Sequence, residues 1–179
     1  RSLISNKFNC HHIIVEDWDE LESEKGVIFV SIPTLLDSSL APEGKHIVHA
    51  FTPSSIDEWE DLSRKEYLQK KEEYFSYLVE RISKLLPNLD QNIDHREIGT
   101  PKTHRKFLGR YDGTYGPIPN QKLLGLLPMP FNTTKIKNLY CVGDSCFPGQ
   151  GLNAVAFSGF ACAHKVGSNL NINSFKLPD

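Results

Sequence analysis

The residues best suited to chemistry lie in the last third of the chain. There Gly143-Asp144 follows the run Lys137 to Val142 and precedes the glycine-rich stretch Gly149-Gln150-Gly151. Lys-Asn-Leu-Tyr-Cys-Val reads as a short strand of the buried parallel kind. A carboxylate directly after such a strand sits where α/β sheets place their ligands, outside the carboxyl ends of the strands. Asp144 can accept hydrogen bonds from ligand hydroxyls at that place. The segment Leu152 to His164 is built largely of Ala, Ser, Gly and Cys, which predicts a helix whose backbone approaches a sheet or a flat ligand closely. Its start, at Gly151, Leu152, Asn153 and Ala154, leaves free amide N–H groups and the positive end of the helix dipole to stabilise negative charge. The plain alternative is that Asp144 caps the helix and holds no ligand.

Several other readings of these residues fail on spacing. Gly149-x-Gly151-x-x-Ala154 formally fits the dinucleotide fingerprint, yet that fingerprint begins directly after its strand and is followed by a second strand bearing an acidic residue. Here six residues separate Val142 from Gly149, and Ser174 stands where the second strand should end. Cys141, Cys146, Cys162 and His164 are spaced as Cys-x4-Cys and Cys-x-His, which matches no common zinc pattern, so no metal site is expected. His11-His12 reads as a surface pair, and His46 and His49 fall on opposite faces of an extended strand. Asp37-Ser38-Ser39 lacks the Gly-x-Ser-x-Gly elbow of a hydrolase.

The elements that must position the site are legible by pattern. His11 to Glu16 and Gly26 to Ile32 are β-branched runs and read as strands. Pro33 ends the second, a Pro-Glu-Gly turn follows at residues 42–44, and Lys45 to Phe51 alternates into a third strand, paired antiparallel across that loop. Ser63-Arg64-Lys65-Glu66 is a capping box, and Tyr67, Tyr74, Phe75, Leu78, Ile82 and Leu85 recur behind it at helical spacing until Pro87. Ile93 to Ile98 reads as a fourth strand. Thr100-Pro101 opens a short helix to about Leu108, with proline at its first position. From Gly109 to Pro130 the chain is rich in Gly, Pro, Asn and Tyr, the composition of a functional loop. Asn132-Thr133-Thr134 matches a glycosylation sequon and is read as chance beside unpaired cysteines.

Composition bounds the partners. The 179 residues carry a formal net charge of −2 with 39% hydrophobic residues, as a globular protein does. Lys and Arg are dispersed, so the basic footprint of nucleic-acid binding is absent. No stretch approaches the roughly 20 apolar residues of a membrane span. Cys10, Cys141, Cys146 and Cys162 are scattered as reduced thiols are rather than as a disulfide framework. A chain that begins Arg1-Ser2-Leu3 is expected to start inside a longer product or to follow a processing site.

Asn138 to Gly159, with its Phe147-Pro148-Gly149-Gln150-Gly151 loop, resembles the C-terminal flavin motif of the carotenoid isomerases, which act on poly-cis-lycopene within the phytoene desaturase and flavin amine oxidase-like superfamily. Tyr111 to Pro119, Leu124 to Thr133 and Ser31 to Pro42 resemble the same group, so the likeness runs from about Gly26 to Leu170. The resemblance implies an α/β fold and an incomplete piece of a two-domain flavoprotein. Residues 1–130 would be the α+β late part of a substrate-binding domain. Residues 131–179 would hold the last strand and helix of a Rossmann-like FAD-binding domain, whose N-terminal ADP-binding βαβ unit is supplied by the remainder of the protein. It implies FAD, active in its reduced form, held by Gly143, Asp144, Gly149, Gly151, Leu152, Asn153 and Ala154. Asp144 would bind the ribityl chain, and the backbone at Gly151 to Asn153 would face the pyrimidine side of the ring. A hydrophobic polyene substrate would be lined by Tyr115, Ile118, Leu126, Phe131 and Phe147. Peripheral membrane contact and a plastid or cyanobacterial setting come with the resemblance. A related carotenoid desaturase, a retinoid saturase and a non-catalytic binding module are the alternatives.

Overall fold

Two β-branched runs joined by a polar turn make a hairpin: β1 (His11–Val15) pairs antiparallel with β2 (Val27–Ser31), Ile13 opposite Phe29 and Ile14 opposite Ile28. β2 pairs in turn with β3 (His49–Phe51), Phe29 opposite Phe51, to complete a three-stranded antiparallel sheet in the order β1-β2-β3. Side chains alternate across the pleat. Ile28 and Val30 point to one face and are buried, while Phe29 points to the other and stacks on Phe51 with ring centroids 4.9 Å apart. The structure is a computed structural model describing residues 4, 8–21, 23–117 and 129–172. The chain divides into two compact units, Arg1–Phe107 and Leu108–Asp179.

The buried face of the sheet packs against α2 (Arg64–Ser83). Ile28, Val30, Ile32, Ile82 and Leu86 form the core of the first unit, with Ile14, Leu78 and Leu85 half-buried against them. Each such aliphatic side chain contributes about 2 kcal/mol on leaving water. The predicted capping box closes the start of α2: the Glu66 amide donates to Ser63 Oγ at 3.3 Å, and the Ser63 amide donates to Glu66 Oε2 at 2.9 Å. α1 (Asp57–Glu60) places Trp59, 2% exposed, against Tyr67 and Tyr74 of α2, with its indole N–H donating to Ser54 Oγ at 2.8 Å. α3 (Pro101–Leu108) begins at the predicted proline and is tied to α2 by the 2.9 Å Tyr67–Thr100 hydroxyl bond.

Three expected strands differ from what forms. Of Lys45 to Phe51 only His49–Phe51 is a strand, because β2 ends at Ser31 and the chain turns away through Pro33, so the ladder stops there; the Ile47 amide donates instead to Thr34 Oγ1 at 3.3 Å. Ile93 to Ile98 joins no ladder. It is held by side chains instead, with Arg96 at 2.9 Å from Glu72 and over the Phe75 ring, and Asp94 paired with Lys45. Lys137 to Val142 is neither buried nor parallel. It makes one antiparallel bridge, Thr133 opposite Tyr140, and leaves Cys141, Leu139 and Val142 exposed. Asn138 at φ 64° breaks the extended run. A parallel strand needs flanking strands to satisfy its backbone and bury its faces, and no such neighbour exists among the described residues of this unit.

The second unit is built on α4 (Leu152–Asn169), as the small-residue pattern predicts. Ser158, Cys162 and Gly167 are its buried positions, while Leu152, Phe157 and Phe160 are exposed. No helix among the described residues is long and apolar enough to cross a membrane.

Candidate functional site

The second unit gathers the glycine-rich loop, Asp144 and the start of α4. Ser158 does the fastening. Its side chain is fully buried, and its hydroxyl oxygen accepts the Gly143 amide at 3.2 Å and the Asn132 side-chain amide at 3.0 Å. Asn132 also donates to the Cys141 carbonyl at 2.8 Å. The Gly143-Asp144 corner is thereby latched to the middle of α4 by the Ser158 hydroxyl, with the Asn132 side chain bridging the two.

The start of α4 is open. Gly151 is its N-cap residue at φ 103°, no side chain caps it, and its first turn carries no acidic residue. The first bond along the helix is from the Val155 amide to the Gly151 carbonyl at 2.9 Å. Helix geometry therefore leaves the amides of Leu152, Asn153 and Ala154 without a partner inside the helix. Gly143 and Gly149 also have φ above 100°, a backbone that side chains rarely tolerate, and a Cβ on Gly143 or Gly151 would meet nothing within 4 Å. Glycine at 143 and 151 thus answers to backbone conformation rather than to crowding. Anions are favoured at such an uncapped helix start.

Asp144 does not cap that helix. Its carboxylate is paired with Arg110, and the Ser145 hydroxyl donates to its second oxygen at 3.3 Å. The Arg110 bond holds the Asp144 carboxyl below its ordinary value, against the opposing effect of partial burial. The carboxylate is thus ionised and oriented. Cys146 shows the reverse: burial first, then the neighbouring Cys141, Cys162 and Asp144, push its thiol up, so it stays protonated and apolar. Among the described residues no group of His, Cys, Asp or Glu has the arrangement of a metal site.

The remaining predicted residues are only partly assembled. Phe131 and Phe147 meet with ring centroids 5.6 Å apart, Phe131 being half exposed. Tyr115 is exposed. Its neighbour Gly116 lies so close to Gln150 that a Cβ would fall 1.7 Å from that side chain's oxygen, so the Tyr-Gly-Pro stretch and the Gly-Gln-Gly loop touch. Gly149 is buried beside Met129. Ile118 and Leu126 lie outside the described residues. Sequence reasoning missed Arg110, Ser158 and Asn132. A cation in a loop of Gly, Pro and Tyr is the only signal for Arg110, and the apparent sequon at Asn132 points away from its real role.

The weaker likenesses come first. The 4,4'-diapolycopen-4-al dehydrogenase of Metabacillus indicus is 26% identical over 153 residues, 85% of this chain and 30% of that protein, and stands in a distant tier that includes proteins named as oxidoreductases. The particular group is given by far stronger likeness. The chloroplastic prolycopene isomerase of Arabidopsis thaliana is 57% identical over 166 residues, 92% of this chain and 28% of that protein. Prolycopene isomerase 1 of an Oncidium hybrid cultivar is 60% identical over the same shares. Over 92% of its own length the chain is similar to these prolycopene isomerases, the carotenoid isomerases that its motifs resemble, and it spans 28% of the length of these two relatives. No family model matches it.

Proposed function

We propose that the protein containing this chain is an FAD-dependent carotenoid cis–trans isomerase that converts poly-cis-lycopene to all-trans-lycopene in the plastid. The observation that carries the reading is the identity of 57% and 60% to plant prolycopene isomerases across 92% of the chain. In this reading residues 1–130 belong to the substrate-binding domain, and residues 131–179 contribute the closing strand and helix of the FAD domain. The exposed Leu139 and Val142 then take their sheet neighbours from the remainder of the protein.

Several features of the second unit support FAD as the cofactor. The uncapped start of α4 offers the amides of Leu152, Asn153 and Ala154 to a group carrying negative charge. Gly143, Gly149 and Gly151 hold the backbone in conformations that keep bulky side chains away. Asp144, ionised and oriented by Arg110, is placed beside that start in sequence and is able to accept a ribityl hydroxyl. Gly143, Asp144, Gly149 and the start of α4 would hold the flavin, which in reduced form would supply transient electron density or a proton for rotation of a polyene double bond without net redox change. The chain's own part is to stabilise charge at the pyrimidine edge, to orient the ribityl chain, and to line an apolar site with Tyr115, Ile118, Leu126, Phe131 and Phe147. A polyene offers nothing to hydrogen-bond, so recognition there is by apolar contact. Such a substrate dissolves in membrane, and peripheral contact with a membrane follows.

Expression of the full-length protein in cells that accumulate poly-cis-lycopene tests the reading. Chromatography of the pigments should show all-trans-lycopene; an unchanged isomer profile with soluble, flavin-loaded protein would contradict it.

A further inference from the structure

We infer that the bay between α2 and α3 is the surface by which this protein docks on a membrane carrying anionic phospholipid headgroups. The bay is an open hollow of about 600 Å3 lined by Leu62, Arg64, Tyr67, Lys102, Lys106 and Phe107, with the Thr103 hydroxyl at its wall. All of these residues belong to the first unit.

Charge is what singles the bay out on a chain whose formal net charge is −2. Three of its lining residues are cations and none is an acid. The nearest carboxylate that contacts α3, Glu60, is taken by Arg105 at 2.7 Å. Lys102 Nζ donates to the Glu60 carbonyl at 3.2 Å and lies 5.6 Å from the centre of the Tyr67 ring. Arg64 and Lys106 have no carboxylate within ion-pair distance among the described residues. Elsewhere in this unit Lys70 is matched by Glu58, Arg81 by Glu16, Arg96 by Glu72 and Lys45 by Asp94, while Lys25 and Lys71 lie over tyrosine rings.

A cationic hollow alone would suit any phosphate. The rim decides for a membrane. Phe107 is 73% exposed, and Lys106 Nζ stands 5.2 Å from its ring centre. Phe107 lines the same hollow as Lys102 and Lys106, so this part of α3 can set cations at the headgroups and an aromatic ring at the acyl boundary. Free phosphate would use the cations and gain nothing from the ring. The walls are fixed, with the Tyr67 hydroxyl bonded to Thr100 Oγ1 at 2.9 Å and the Thr100 amide donating to Thr103 Oγ1 at 3.0 Å.

This inference rests on the proposed reading of a membrane-dissolved substrate, and the test separates the two. The full-length protein is sedimented with phosphatidylcholine vesicles and with phosphatidylcholine–phosphatidylglycerol vesicles. Binding is expected to the anionic vesicles and to weaken in salt. Each basic residue near an anionic surface is worth about fivefold in partitioning, so the double variant R64Q/K106Q should bind roughly 20-fold more weakly, and the charge-conserving R64K/K106R should restore it. Phe107→Ser should weaken vesicle binding by about tenfold without changing any competition by inorganic phosphate. Wild-type vesicle binding by R64Q/K106Q and by Phe107→Ser would overturn the inference. So would binding of inorganic phosphate with no partition onto anionic vesicles. Isomerisation of detergent-dispersed poly-cis-lycopene should persist in all these variants. Its absence from the wild-type protein, with vesicle binding intact, would count against the functional reading and not against the docking surface.

Discussion

Removing the Ser158 hydroxyl tests the latch on which the candidate site depends. In Ser158→Ala the Gly143 amide loses its acceptor, and the Asn132 side chain loses one of three, keeping the carbonyls of Cys141 and Ser158. Ser158 is fully buried, so water does not simply replace the hydroxyl. A buried donor left unsatisfied costs about 1–3 kcal/mol, while Asn132 keeps partners and contributes little more. A loosening of about 2 kcal/mol in the Gly143-Asp144 corner corresponds to roughly thirtyfold faster local opening. Amide hydrogen exchange of the full-length protein, followed on peptides covering residues 141–147, reads this directly. The first unit should be unaffected. Ser145→Ala serves as the control, because Ser145 is exposed and its hydroxyl makes only the 3.3 Å bond to Asp144. Exchange of the 141–147 peptides within about twofold of wild type in Ser158→Ala would refute the claim that this hydroxyl holds the corner.

Further predictions follow from the same contacts. Ser63→Ala should cost about 1 kcal/mol in urea unfolding by removing the cap of α2; no measurable loss would contradict the box. Asp144→Ala should lower the FAD retained by the full-length protein, and unchanged flavin content would remove Asp144 from the site. Because Arg110 holds the Asp144 carboxyl below the ordinary 3.8, the pair's contribution is present above that value and is lost as pH falls through the lowered one. The stability difference between wild type and Asp144→Asn should accordingly stay flat from neutral pH down to about 4 and shrink only below it. Glu24 runs the other way. Burial, then the adjacent Glu58, raises it from 4.5 to about 7, against Lys70 and Lys25. Its contribution is therefore complete below 4.5 and disappears as pH rises through 7. Glu24→Gln should flatten that decline in urea unfolding measured across the interval, and a parallel decline in both proteins would sink the assignment.

What the sequence made legible is what depends on local pattern. The β1–β2 hairpin, the capped α2, the proline-led α3 and the small-residue α4 all follow from period, cap and composition within one segment, and all four form. Lys137 to Val142 failed for a non-local reason. Its continuous apolar run, Leu139 to Val142, is the signature of a strand buried on both faces among neighbours, and those neighbours are not among the described residues. Ile93 to Ile98 failed because β-branched ends around charged residues look like an edge strand, whereas Arg96 and Asp94 spend their side chains on Glu72 and Lys45. In the site, glycine positions and the open helix start were visible because conformation and composition announce them. Arg110 and Ser158 were not, since a salt bridge across 34 residues and a hydroxyl latch across 15 leave no spacing rule in the chain. Family likeness, not geometry, is what carries the reading from an anion-friendly helix start to a flavin and a carotenoid.

The most direct test of the central claim is the mass and geometry of the product. Purified full-length protein, loaded with FAD and reduced, is given poly-cis-lycopene in the dark, and the product is separated by chromatography and weighed by mass spectrometry. All-trans-lycopene of unchanged mass is predicted. A product lighter or heavier by H2 would make the protein a desaturase or a saturase, and unchanged poly-cis-lycopene in the presence of bound reduced flavin would contradict the isomerase reading altogether.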